Sequence, residues 1–135
     1  MLEMMREFYA SDAVLHPLPP ECHTRNLEEM CRPDGMLAGY FFEDEDGRPA
    51  GFAMVALGYS TEAGGRVAWI EDVYVRPAYR SQGFGRAFFA RLEQDYAGTV
   101  RRFRLEVERS NTRAVALYER LGFTELPYRQ MIRDL

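Results

Sequence analysis

Lysine is missing from this chain of 135 residues; all 17 basic side chains are arginine, which we read as genomic composition rather than chemistry. A run of 18 apolar residues is also missing, so no membrane-spanning helix is expected and no membrane partner. The N-terminus carries Glu3, Arg6 and Glu7 among its apolar residues, which is not a signal-peptide layout, so the expected location is cytoplasmic. Cysteine is scarce. Cys22 and Cys31 stand nine positions apart with no Cys-x-x-Cys, a spacing that fits neither a zinc site nor a disulfide framework, and two free thiols are expected. His16 and His23 in the same Pro-rich stretch add no regular ligand spacing, so no metal is expected. The chain is acidic overall, at a net charge of −4, and lacks a basic-aromatic stripe, which argues against nucleic acid. Repeats, low-complexity segments and linkers are absent too. The length suits one domain with a real core, over residues 1–135.

What is there is unevenly spread. Residues 1–75 hold 5 arginines and 14 carboxylates, whereas residues 76–135 hold 12 arginines and 7 carboxylates. A basic half suits a polyphosphate ligand and an acidic half a cationic one. Leu2, Met5, Phe8 and Tyr9 recur at helical spacing and predict a helix over 2–10. Residues 11–25, with Pro17, Pro19 and Pro20, read as a loop, and Asn26-Leu27-Glu28-Glu29 as a capping box opening a short helix toward Cys31. Strands are expected at Met36–Glu43, Ala50–Tyr59 and Arg66–Val75, the last apolar on both faces like a covered central strand. The acidic turn Glu43–Gly47 reads as a solvated hairpin tip. A helix opened by Gly83 and Gly85 runs to about Tyr96, a strand spans Arg101–Glu108, and Asn111 caps a helix ended by Gly122. Phe123–Leu126 and Tyr128–Asp134 read as two closing strands. The sum is an α/β (α+β) chain: a mixed central sheet of about six strands flanked by about four helices.

Three features carry chemistry. In Arg80-Ser81-Gln82-Gly83-Phe84-Gly85-Arg86, glycines at a helix mouth let backbone N–H groups turn toward an anion, and the helix N-terminus adds partial positive charge. Arg80 and Arg86 flank the loop, a way to hold a pyrophosphate without a metal. It is no Walker loop, lacking Gly-Lys-Ser/Thr, and no dinucleotide fingerprint, lacking the third glycine and the later acidic residue. Second, Glu71-Asp72 lies inside the two-faced strand, where strict alternation places Glu71 on the face of Val73 and Val75 and Asp72 on the other. Buried carboxylates are costly without water, partners or a site, and salt bridges to the arginine pool are the structural alternative. Third, Asn111 is a sound N-cap on its own account, and Tyr118 lies on the apolar stripe of its helix, where a core role is the alternative to a catalytic one.

These features fall in an order and at intervals that resemble the GCN5-related N-acetyltransferases (GNAT). The resemblance runs from about residue 36 to 126, through Val73-Tyr74-Val75-Arg76-Pro77, the glycine loop, Asn111 and Ala116-Leu117-Tyr118-Glu119-Arg120-Leu121-Gly122-Phe123. Leu105-Glu106-Val107-Glu108-Arg109-Ser110-Asn111 is similar to the ribosomal-protein N-terminal acetyltransferase branch, and Ile70–Val75 to the polyamine branch. The resemblance implies a single acyl-CoA N-acyltransferase domain that uses acetyl-CoA as co-substrate and no metal. The backbones of Val73 and Val75 would pair with the pantetheine arm, and Arg80, Ser81, Gln82, Gly83, Phe84, Gly85 and Arg86 would cradle the pyrophosphate. Asn111 would touch the pantetheine, Tyr118 would stand beside the thioester sulfur as general acid, and Glu71 would take the amine's proton through water. Family members usually open with a strand before the first helix; here the chain begins almost at the helix, so either the chain is truncated or its first strand is absent, and the sheet edge this leaves would favour a second subunit in a homodimer.

The expected activity is direct acetyl transfer to a primary amine, a small polyamine-like or amino-acid substrate being favoured by the acidic half. A protein N-terminus or side chain is the alternative acceptor. A non-catalytic acyl-CoA-binding regulatory module is the alternative of another class; it would keep the loop and lose Glu71 and Tyr118.

Overall fold

The computed structural model describes residues 1–11, 14 and 18–134, and His16 lies outside them. Its order is helix α1 (Leu2–Tyr9), helix α2 (Pro20–Cys31), strands β1 (Leu37–Glu43), β2 (Pro49–Ser60) and β3 (Gly65–Val75), helix α3 (Phe84–Asp95), strand β4 (Arg102–Leu105) and helix α4 (Thr112–Arg120), with a 3-10 turn at Pro77–Tyr79. The strands lie in the order β1-β2-β3-β4. β1, β2 and β3 form an antiparallel meander, and β4 joins β3 in parallel after the α3 crossover. The architecture is therefore mixed α+β, as the order of elements predicts.

Each face of the sheet has its own core. Met4, Met5 and Phe8 of α1 pack on Phe52, Met54 and Tyr74. Phe88, Phe89 and Leu92 of α3 pack on Ala53, Val55, Ala68 and Ile70, with Tyr118 and Leu121 of α4 against them. Burying each large side chain of these clusters stabilises the fold by about 1.5–3 kcal/mol. Because both faces are covered, β2 is buried continuously from Ala50 to Val55, and the even two-sided apolar pattern of β2 and β3 follows.

Four expectations need correction. The sheet has four strands among the described residues rather than about six: residues 123–134 form no ladder, because a strand exists only where its backbone finds a partner edge, and this stretch pairs with none. β4 ends at Leu105 rather than Glu108 for the same reason. α2 starts at Pro20, not at Asn26; proline at the first helical position needs no N–H partner, so Pro19-Pro20 marks a helix start within the presumed loop. Finally, alternation in β3 is broken. Asp72 pairs with Met54 and Ile70 with Val55, so Glu71 is an extra residue, a bulge. Asp72 and Tyr74 then face the α1 side, while Ile70 and Val73 both face the α3 side. The bulge thus breaks the alternation between Ile70 and Glu71, while alternation from Asp72 onward still sets Glu71 with Val73 and Val75.

Candidate active site

The parallel ladder between β3 and β4 holds four residue pairs, the last being Ile70 with Leu105. Beyond it the two strands part. β3 continues to Val75 with β2 along one edge only. The amide of Arg76 donates to the Ala50 carbonyl at 2.9 Å, across β2. Backbone polar groups alternate between the two edges of a strand, so those of Tyr74 also face β2 and those of Val73 and Val75 face the open edge. Accordingly the Arg80 side chain, through Nε, donates to the Val75 carbonyl at 3.1 Å.

A cavity of about 310 Å³ opens at this fork. Its walls carry Glu71 and Asp72 from β3, Glu106, Glu108 and Asn111 from the segment after β4, and Tyr118 from α4. None of the 17 arginines lines it. The structure therefore brings Glu71, Val73, Asn111 and Tyr118 to one cavity, while the Arg80–Arg86 loop stands apart at the mouth of α3.

The electrostatics differ residue by residue. Burial pushes the Glu71 carboxyl above its usual range, and the neighbouring charges of Asp72 and Glu106 push the same way. Asp72 is buried, and its carboxyl is pushed up to about 6 by desolvation, partly offset by the Tyr9 hydroxyl, which donates to Oδ2 at 2.6 Å. No arginine meets either carboxylate among the described residues, so the salt-bridge alternative is not what the fold uses. Tyr118 sits edge-on to Phe89, with ring centroids 5.7 Å apart, and beside Phe123 at 5.9 Å. Burial raises its hydroxyl pKa, and no group among the described residues hydrogen-bonds that hydroxyl. Asn111 Oδ1 accepts from the Ala114 amide at 3.2 Å, so its side chain caps α4 while the residue lines the cavity.

At the loop, Ser81 and Gly83 adopt the left-handed backbone region, with φ of 68° and 90°. For Ser81 that conformation is strained, and it is held by Arg113 of α4, whose Nη2 donates to Ser81 Oγ at 2.6 Å. No side chain caps α3. The first N–H groups of α3 have no partner within the helix and carry its positive dipole end. Those donors, with Arg80, Arg86 and Arg113 around them, fit the two negative groups of a pyrophosphate. Gly85 has a different use: a Cβ there would lie 3.2 Å from Leu117 Cδ2, so it lets α4 pack closely on α3.

Two residues of this arrangement lie outside the sequence-based set. Arg113 left one signal: it is a cation in the first turn of a helix with no acidic neighbour there, which opposes the helix dipole unless an anion is near. Tyr9 left none, since its link to Asp72 spans 63 positions. Conversely, Arg76 of the quoted motif serves the fold: it forks onto Glu7 of α1 at 2.7 and 3.0 Å. Cys22 and Cys31 are both free thiols. No cluster able to hold a metal ion occurs among the described residues.

The family model described as "Acetyltransferase (GNAT) family" matches residues 2–123. Over 112 residues the chain is 37% identical to a thialysine N-epsilon-acetyltransferase of Sus scrofa, a match covering 73% of this chain and 65% of that protein. The chain thus spans slightly less than two thirds of that relative's length. It is 32% identical over 111 residues to a glucosamine 6-phosphate N-acetyltransferase of Trypanosoma brucei brucei, covering 82% of this chain and 74% of that protein. Among solved structures, a Trypanosoma brucei acetyltransferase superposes with a TM-score of 0.69 at 27% identity, covering 99% of this chain and 89% of that one.

Proposed function

The chain belongs to the acetyltransferase (GNAT) family, and from that premise we propose that it moves an acetyl group from acetyl-CoA to a primary amine by direct transfer. The observation that carries this reading is the fork between β3 and β4: an arginine-free cavity with four carboxylates and one half-buried tyrosine, opening beside unpaired strand backbone. Acetyl-CoA supplies an activated thioester. The donors at the α3 mouth and Arg113 suit its pyrophosphate, and the open backbone edge of Val73 and Val75 suits its amide-bearing arm.

An alkyl ammonium has no lone pair and a pKa near 10, so it must lose a proton before it attacks. Glu71, exposed to the cavity and raised above the usual carboxyl range by burial, takes that proton through water. The freed amine forms a C–N bond at the acyl carbon, and a backbone N–H of β3 stabilises the charge that develops on the carbonyl oxygen. As the C–S bond breaks, Tyr118 gives its proton to the sulfur and regains one from the amide nitrogen being formed. The net products are the amide, the free thiol and the proton held by Glu71. No cysteine is needed: Cys22 and Cys31 both lie on α2, on the other side of the sheet from Tyr118.

The favoured acceptor is a small amine. Four carboxylates without an arginine suit a compact cation, and the relatives include enzymes named for thialysine and for glucosamine 6-phosphate. Thiol release from acetyl-CoA, followed across polyamines, amino acids, amino sugars and peptides, tests this directly. Release with small amines and none with peptides is the expected result. Release with peptides alone assigns a protein acceptor, and binding of coenzyme A without release from any acceptor assigns a regulatory module.

A further inference from the structure

Beyond the last parallel pair, Ile70 with Leu105, the next residues of the two strands are Glu71 and Glu106, and the charge of Glu106 acts on Glu71. Like charges directly opposite across a ladder are destabilising. Two carboxylates at the position where the strands separate therefore help to keep the fork open, and they ask for a cation. Neither is in an ion pair among the described residues, although the chain has 17 arginines. Both line the same cavity as Tyr118. Glu71 also faces Asp72 on its own strand, Tyr9 on α1, and Glu108 beyond Glu106. Of these, Asp72 is already engaged by Tyr9.

We propose that Glu106 is the second ligand of the substrate ammonium: the cation seats between Glu71 and Glu106, and only Glu71 receives its proton. The inference rests on the reading of Glu71 as base and adds what keeps the substrate there. Two carboxylates and one ammonium carry a net charge of −1; after transfer, one carboxylate, one carboxylic acid and a neutral amine carry the same charge. The step therefore moves a proton between groups and builds up no net charge in the cleft. The charge of Glu106 raises the proton affinity of Glu71, which makes Glu71 the better base. The pair also selects for chemistry, because a hydroxyl acceptor has no positive charge to hold the two carboxylates together.

The test is the pH dependence of kcat/KM for the full chain with an accepted amine, in wild type, Glu106→Gln, Glu106→Asp and Glu71→Gln. Glu106→Gln is expected to raise the amine KM roughly fivefold, the scale of one partly solvated charge contact. It also moves the acid limb to lower pH, since Glu71 loses a neighbouring negative charge. Glu106→Asp keeps the charge; it holds the limb in place while the shorter reach raises KM. A Glu106→Gln enzyme with unchanged KM and unchanged limb overturns the pair. So does one that loses the limb altogether, which would make Glu106 the base. Should Glu106→Gln fail to fold in a thermal melt, the Asp variant decides: an unchanged KM overturns the pair. Full turnover in Glu71→Gln strikes instead at the base assignment itself, whatever the Glu106 variants do.

Discussion

The two halves of β3 share a strand and a pair of covered faces, yet they do different things. From Val67 to Ile70 the strand is laddered on both edges, by β2 and β4. Arginines around that half are spent on the fold: Arg102 pairs with Glu62 at 2.6 Å, and Arg104 lies 4.2 Å over the Trp69 ring. From Glu71 to Val75 one edge is open, a bulge interrupts the alternation, and no arginine approaches the carboxylates. The first half satisfies its backbone internally and is closed to chemistry. The second leaves polar groups unspent, and there the cavity forms. A sheet acquires a site where its pairing stops, and here one extra residue and a facing carboxylate end the pairing.

The contrast can be broken most strongly at Tyr118. Tyr118→Phe retains the ring contacts with Phe89 and Phe123 and removes the hydroxyl. Turnover is expected to fall about 10- to 1000-fold at saturating acetyl-CoA, with the melting temperature near that of wild type. Unchanged turnover returns this tyrosine to the core. Next is Gly51, which supports the open half from behind. A Cβ there would fall onto the Tyr74 carbonyl and within 2.8 Å of Phe42 Cδ2. Gly51→Ala is expected to cost about 3 kcal/mol, read as a lower urea midpoint. A midpoint within error of wild type would show that the open half of β3 is not held rigidly by β2.

Asp72 gives a smaller effect with a definite sign. Its carboxyl is raised from 3.8 to about 6 in the fold, so the folded state binds a proton more readily than the unfolded one. The stability this confers is full below the unfolded value and is lost as pH rises through about 6. Asp72→Asn keeps an acceptor for Tyr9 and removes that loss. The variant should melt about 3–8 °C higher at pH 8 and no higher at pH 3.5. A gain that is equal at both pH values would trace the effect to packing. The smallest effect is at Arg113. Arg113→Ala should raise the KM for acetyl-CoA about fivefold and leave the amine KM alone. If both rise together, α4 has shifted as a whole and the loop contact is not the cause.

Much of this was legible in the sequence because it is local. Asn111 caps α4 by a bond three residues long, and the glycine loop announces the α3 mouth within seven residues. The two-faced pattern of β3 needs only its own eleven residues. What escaped depends on partners far along the chain. The bulge at Glu71 exists only relative to β2, and Tyr9 meets Asp72 across 63 positions. Arg113 meets Ser81 across 32. Tyr128–Asp134 reads as a closing strand, but β-propensity expresses fit to a neighbour, and here Met131 and Ile132 are nearly fully exposed, at 88% and 87%.

The close approach of Gly85 to Leu117 has a last consequence. Leu117 precedes Tyr118 on α4, and Arg113 on the same helix reaches Ser81. The helix that carries the hydroxyl is thus keyed at two points to the mouth of α3, one an apolar contact and one a hydrogen bond. A ligand that engages that mouth must pull on both keys. Occupancy at the polyphosphate end is thereby linked to order at the reacting end: desacetyl coenzyme A alone should slow amide exchange along α4, while adding little to the protection of α1, which lies across the sheet and touches neither key.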